Sequence, residues 1–212
     1  MNQSGEPKSA TRKLVYIPII HTQADMGELS EHVKKASLKK LGRSEWKRKI
    51  SRIDQFWTEI EKIIEELKLP LNFVRIYQDG LPVSGREREI VEELAKSGSR
   101  NHALLIRMIN AGAKITGTES LELLLEEYDH AKKTLGMKSA GIRGHQKATS
   151  DSILARRDKF IAKRIHETLL PGETGVVFLG MLHSLEPWLA NDINLVYPIH
   201  RPVNRSRDAV TL

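Results

Sequence analysis

The chain contains no cysteine. This excludes disulfides, thiolate metal sites and cysteine nucleophiles, so any metal would need His, Asp or Glu ligands. Long apolar runs are missing too: none approaches the ~20 residues that a membrane-spanning helix requires. The opening stretch MNQSGEPKSATRK is polar and lacks the apolar centre of a secretory signal. These absences lead to the expectation of a cytoplasmic protein with no membrane partner. Phosphate-cradling and dinucleotide-binding glycine motifs are absent, as is the nucleophile elbow of the α/β hydrolases. No helix-turn-helix pattern, zinc-finger spacing or interleaving of basic and aromatic residues marks a reader of nucleic acid. No short-period repeat and no low-complexity tract is seen.

What is present suits a globular protein. Of 212 residues, 40% are hydrophobic and 29% charged, enough to build a substantial core. Residues 1–12 are expected to form a flexible lead-in, and 13–212 a single α/β domain. The formal net charge is +7. Much of it lies in KKASLKKLGRSEWKRK, residues 34–49. Such a run is either a solvated helix face or a patch for an anionic partner, such as a nucleic acid or a nucleotide.

Apolar patterning alternates along the chain. KLVYIPII (13–20) reads as a strand, and Pro18 places its end or its edge free of a neighbour. Residues 27–41 read as a helix. Residues 45–68 carry Ile50, Ile53, Phe56, Trp57, Ile60, Ile63, Ile64 and Leu67, one helical stripe. LNFVRIYQ (71–78) is a second strand. Residues 85–96 and 100–111 are two helices, broken at Ser97-Gly98-Ser99. AKITGTES (113–120) is a short strand entering a turn, and 121–135 is helical. The glycine-rich stretch 136–150 reads as a mobile loop. A helix over 150–170, N-capped by Ser150 or Asp151, ends at Pro171-Gly172. GVVFLGML (175–182) is a buried strand, followed by a short helix over 185–190 and a last strand over 193–199. This alternation predicts an α/β fold with a mostly parallel central sheet and helices on both faces.

In such sheets ligands bind beyond the carboxyl ends of the strands. The strands end at His21, at Gln78-Asp79, at Gly117-Thr118-Glu119 and at Gly180-Met181-Leu182-His183. Parallel strands would bring two histidines and two carboxylates to one rim. Arg157 lies four residues from both Ile153 and Ile161, on the apolar face of its helix. A core-facing arginine either snorkels to solvent or meets an anion, here Glu119, Asp79 or a substrate. Asp158 flanks the same face and Arg156 points outward. Asp25 and Glu28 either join the rim or begin a helix. Glu126, Glu127 and His130 read as a charged helix face, and His166 has no strand-end placement. His145 lies in the glycine-rich loop, and His200 and Arg201 end the last strand.

A strand ending in His21, the later Gly180-Met-Leu-His183, and the Arg157-Asp158 pair on the preceding helix resemble the TraB/PrgY–Tiki group. That group is related in fold to the ChaN and erythromycin-esterase proteins. The similarity is strongest over ILARRDKFIAKRIHETLLPGETGVVFLGMLHSLEPWL. Two positions depart from the family pattern: Pro18 stands where the first motif has Gly, and Asp79 where a glutamate is expected. The resemblance implies a hydrolase-like site. Tiki-type members are regarded as metal-dependent peptidases, esterase-like relatives activate water with a histidine and a glutamate, and ChaN-like relatives bind haem. It carries over to His21, Glu119, Arg157 and His183, with Asp79.

The expectation is thus a hydrolase acting on a small-molecule or peptide substrate. His21 and His183 would be metal ligands or general bases. Glu119 would be a further ligand or a water-activating base, Asp79 a ligand, and Arg157 the residue that orients the carboxylate. The metal would be Zn, Mn or Fe, and a metal-free version uses the same residues. The alternatives are a binding module for a nucleotide, oligonucleotide or phosphorylated metabolite, and a scaffold whose histidines only cap strands.

Overall fold

A computed structural model of the chain describes residues 11–22, 25, 30–134 and 142–199. Five strands form one sheet: β1 (Arg12–Ile19), β2 (Val74–Gln78), β3 (Lys114–Thr116), β4 (Thr174–Gly180) and β5 (Ile193–Val196), in the order β3-β2-β4-β1-β5. Every pairing is parallel. The helices are α1 (Ser30–Glu66), α2 (Glu87–Lys96), α3 (Arg100–Asn110), α4 (Leu121–Thr134) and α5 (Ile142–Thr168). Among the described residues no helix is long and apolar enough to cross a membrane.

Side-chain alternation along the strands explains the layers. Val15, Ile17, Ile19, Val74, Ile76, Val176 and Phe178 face one way and pack on Trp57, Ile60 and Ile64 of α1 and on Leu104, Leu105 and Met108 of α3. Leu14, Tyr16, Tyr77, Val177 and Leu179 face the other way and pack on Ile161 and Ile165 of α5. Both faces are covered, so the central strands β1 and β4 are apolar over most of their length, as parallel strands are. A fully buried Ile or Leu in such a layer stabilises the fold by about 1.5–3 kcal/mol. The α/β reading of the sequence therefore holds, with a parallel sheet between two helical layers.

Pro18 fits as anticipated. It pairs with Leu179 of β4, but β5 reaches only as far as Val15, so β1 has no second neighbour there. Several boundaries differ. The helices expected over 27–41 and 45–68 run together as α1, interrupted by non-helical backbone at Gly42 (φ 78, ψ 165), a conformation that glycine adopts without steric cost. The strand expected over 113–120 is only Lys114–Thr116, because Gly117 turns away against Pro82 and Val83. The loop expected over 136–150 is helix from Ile142 onward, so Ser150 and Asp151 are interior to α5 and cap nothing; residues 136–141 lie outside those described. The short helix over 185–190 is a single 3-10 turn, Glu186–Trp188, and the last strand stops at Val196.

Of the anticipated lead-in, residues 1–10 lie outside those described, but Arg12 is buried in β1. Its guanidinium meets Asp192 at 2.7 Å and the carbonyls of His166 and Leu169 at 2.6 and 2.8 Å. It thereby closes the C-terminal end of α5, whose last carbonyls have no partner within the helix.

Candidate functional site

The carboxyl ends of β1, β2, β3 and β4 meet in one cluster of charged side chains. Asp79 stands at its centre, immediately after β2. Its Oδ1 accepts from Arg157 Nη2 at 2.7 Å. Its Oδ2 accepts from the Gly180 N–H at 2.9 Å and lies 3.1 Å from His21 Nε2 and 3.4 Å from His183 Nε2. A backbone donor, a guanidinium and two imidazoles thus converge on one carboxylate.

Glu119 is fully buried. Arg157 grips it with two donors, Nε to Oε2 at 2.9 Å and Nη2 to Oε1 at 2.5 Å, and Gly80 N–H adds a third at 3.1 Å. Local backbone puts it there. Thr118 and Glu119 both donate to the Leu81 carbonyl, and Val83 donates to the Glu119 carbonyl. Gly117 makes this approach sterically feasible: a Cβ there would sit 2.7 Å from Val83 Cα. Arg157 reaches a third carboxylate, Glu127 of α4, through Nη1 at 2.7 Å.

His183 follows a tight turn in which its N–H donates to the Gly180 carbonyl. Its Nδ1 meets Asp158 Oδ1 at 2.6 Å, and Asp158 Oδ2 accepts the Ser184 N–H at 3.0 Å. A carboxylate behind one ring nitrogen aims the other, Nε2, into the cluster. His21 is the accessible member, its side chain 38% exposed, whereas Asp79, Glu119, Arg157, Asp158 and His183 are buried.

The protonation states follow from these contacts. Burial alone would lower His183; the Asp79 carboxylate and the Asp158 hydrogen bond overcome it and raise the imidazole to about 10. Burial would also lower His21, and the hydrogen bond to Asp79 turns that into a rise. Burial would raise Asp79, but the facing His183 and His21 hold it well below the usual carboxylate range. Glu119 is pushed upward by its burial, against the opposing pull of Arg157. The cluster sets Asp79, Glu119, Glu127 and Asp158 against Arg157 and the two imidazoles, so it holds no surplus of positive charge.

All five anticipated residues, His21, Asp79, Glu119, Arg157 and His183, are thus brought together. Asp158 and Glu127 join them. The sequence marks Asp158 only as a neighbour on the same helix face, and it reads Glu127 as part of a charged helix face. Asp25 lies beside the cluster: its Oδ2 accepts Thr22 N–H at 2.6 Å, and its Oδ1 accepts from Ser99 Oγ and lies 3.3 Å from His102 Nδ1. It anchors the segment after His21 to the start of α3. His130 bridges α4 to Gln146 and Ser150 of α5, and His166 joins Arg12 and Asp192 away from the rim. His145 lies in α5; Glu28, His200 and Arg201 are outside the described residues.

Ligand atoms of Asp79, Glu119 and His183 lie within 4.8 Å of one another, close enough to share a divalent cation. The fit is uneven. Both oxygens of Glu119 are engaged by Arg157, and Asp79 Oδ2 already accepts the Gly180 N–H and faces both imidazoles, so a cation would have to displace the proton on His183. Among the described residues, the groups close enough to share a cation are thus Asp79, Glu119 and His183, without His21. Compared with known proteins, the chain matches no family model, no curated protein and no solved structure.

Proposed function

We propose that this cluster is the hydrolytic centre of an enzyme of the TraB/Tiki type. The observation that carries the reading is the convergence of His21 and His183, from the ends of β1 and β4, on one oxygen of Asp79. His21 is the member that solvent and substrate reach. With its Nε2 donating to Asp79 Oδ2, its Nδ1 lone pair accepts a proton from an attacking water, and the growing charge on the ring is balanced by Asp79. His183, kept protonated between Asp158 and Asp79, supplies a fixed positive charge beside the reacting group. Arg157, itself gripped by Glu119, holds Asp79 in place. A divalent cation, where one is bound, would be held by His183 and Asp79, with Glu119 within reach, and would act as a Lewis acid on water or on a carbonyl.

The rival reading, a module for nucleotides or other anions, draws its support from elsewhere in the molecule. Arg43, Lys47, Arg48 and Lys49 are exposed on α1, while the rim offers an anion no net attraction. An anion would therefore bind along α1, with an affinity that falls steeply with salt and is indifferent to His21.

Metal content of purified protein, wild type beside His183→Ala, combined with turnover of ester and amide substrates, tests the proposal. Near-stoichiometric Zn, Mn or Fe that disappears in the variant supports the metal-assisted form. Turnover without metal that is lost in His21→Ala supports the histidine-base form. Absence of turnover with each of these metals and without them overturns the hydrolase reading.

A further inference from the structure

Helix α4 turns its apolar side outward. It carries Leu121, Leu123, Leu124, Leu125 and Tyr128, yet none of its residues is buried. An amphipathic helix on a globular body normally lays its apolar stripe on the core. Here α4 meets α5 through polar side chains. Glu126 holds Arg156 with two contacts at 2.8 Å, Glu127 meets Arg157 at 2.7 Å, and His130 reaches Gln146 and Ser150.

Leu121, Leu125, Tyr128 and Lys132 follow one another at steps of four, three and four residues, which sets them in one row along the helix. Lys132 Nζ accordingly lies 5.9 Å from the centre of the Tyr128 ring. At 3.6 residues per turn the row falls on the side away from Glu127 and His130. Leu121 and Leu125 are each 55% exposed. Val83, also exposed, stands at the start of the row, its N–H donating to the Glu119 carbonyl. Large apolar side chains gathered on one exposed face mark an interaction surface, where a single one would not.

Charge along the helix says what covers this face. Beside the row come Glu122 and Asp129 first, then Lys132 and Lys133 in the last turn, all exposed. A face that is acidic at one end and basic at the other complements itself when turned end for end. We propose that a second copy of the chain covers it: two α4 helices pair antiparallel about a two-fold axis near Leu125 and Tyr128, with Glu122 of each facing the partner's Lys132 and Lys133. A partner of uniform charge, such as an anionic membrane or a nucleic acid, would be drawn to one end of the face and repelled by the other. The pairing does not depend on the hydrolytic reading.

Sedimentation velocity of the full chain at concentrations up to about 100 μM tests it. Wild type should reach the mass of two chains. Leu125→Glu should weaken association by roughly thirtyfold or more, with an unchanged circular dichroism spectrum. Should that variant not fold, Leu121→Gln should show the loss from the same row. Lys132→Glu/Lys133→Glu and Glu122→Lys should each self-associate less well than wild type. An equimolar mixture of the two should recover the dimer, because each reversed charge then meets its opposite. Wild type that stays monomeric at every concentration overturns the proposal, as does a monomer that floats with phosphatidylglycerol vesicles, which makes the face a lipid contact. A dimer indifferent to Leu125→Glu, or a mixture no tighter than its components, overturns it as well.

Discussion

His183 and Asp158 meet Nδ1 to Oδ1 at 2.6 Å, and both are sealed from solvent. Because the second Asp158 oxygen holds the Ser184 N–H, one carboxylate fixes the imidazole ring and the peptide that follows it. Asp158→Ala leaves a buried imidazolium with one counter-charge fewer. It should cost about 3–5 kcal/mol in denaturant unfolding, the range seen when one member of a buried ion pair is removed. Asp158→Asn keeps an acceptor and should cost less. The His183 pKa, followed by NMR, should fall from about 10 in both variants. Unchanged stability and pKa would mean that Asp79 alone holds the ring.

Arg157 is the common counter-ion of Asp79, Glu119 and Glu127, at 2.7, 2.5 and 2.7 Å. Arg157→Met strands two buried carboxylates beside each other and should destabilise the fold by about 3–5 kcal/mol. Arg157→Lys should rescue little, because an ammonium is a point charge that cannot form the two-pronged contact to Glu119. The double variant Arg157→Met/Glu119→Gln removes a charge of each sign and should be more stable than Arg157→Met alone. A double-mutant cycle measured by guanidinium unfolding gives the coupling directly. Additive effects would contradict the contact.

The rim was legible in the sequence because it follows from one rule of parallel sheets. Once 13–20, 71–78, 113–120 and 175–182 read as strands joined by helices, His21, Asp79, Glu119 and His183 had to lie at one edge. Arg157 was legible from its place between Ile153 and Ile161. Glu127 was not: helical spacing tells which side of α4 a residue takes, but not which neighbour it meets. The early part of α5 was hidden by glycine, since Gly144 costs a helix about 1 kcal/mol relative to Ala and reads locally as a loop. The contact of Asp25 with Ser99 joins residues distant in the chain that carry no shared pattern.

Gly180 should be intolerant of any side chain for reasons of site rather than fold. Its φ is not in the left-handed region, so alanine meets no backbone strain. The added Cβ would crowd Asp79 Oδ2 at 3.1 Å and stand 3.7 Å from His21 Nε2. Gly180→Ala should therefore leave Tm within a few degrees of wild type while abolishing turnover. Circular dichroism melts beside turnover assays check this; retained turnover would show that the space beside His21 extends past the β4 end.

Asp25 should make the segment carrying His21 acid-labile. Burial would raise its carboxyl, but hydrogen bonds from His102, Ser99 and Thr22 lower it from 3.8 to about 2. A carboxyl depressed in the folded state contributes stability that is complete above its unfolded value and is lost as pH falls through its folded value. The contribution is about 2 kcal/mol, since each tenfold change in proton affinity between the folded and unfolded chain is worth about 1.4 kcal/mol. Wild type should thus lose about that much more stability than Asp25→Asn as pH falls from 3.8 to about 2. Because Thr22 follows His21 directly, protonating Asp25 loosens the backbone that presents the imidazole. Hydrogen exchange at the Thr22 amide should therefore accelerate in Asp25→Asn at neutral pH, after correction for intrinsic rates. Equal exchange in the two proteins would show that β1 alone holds His21 in place.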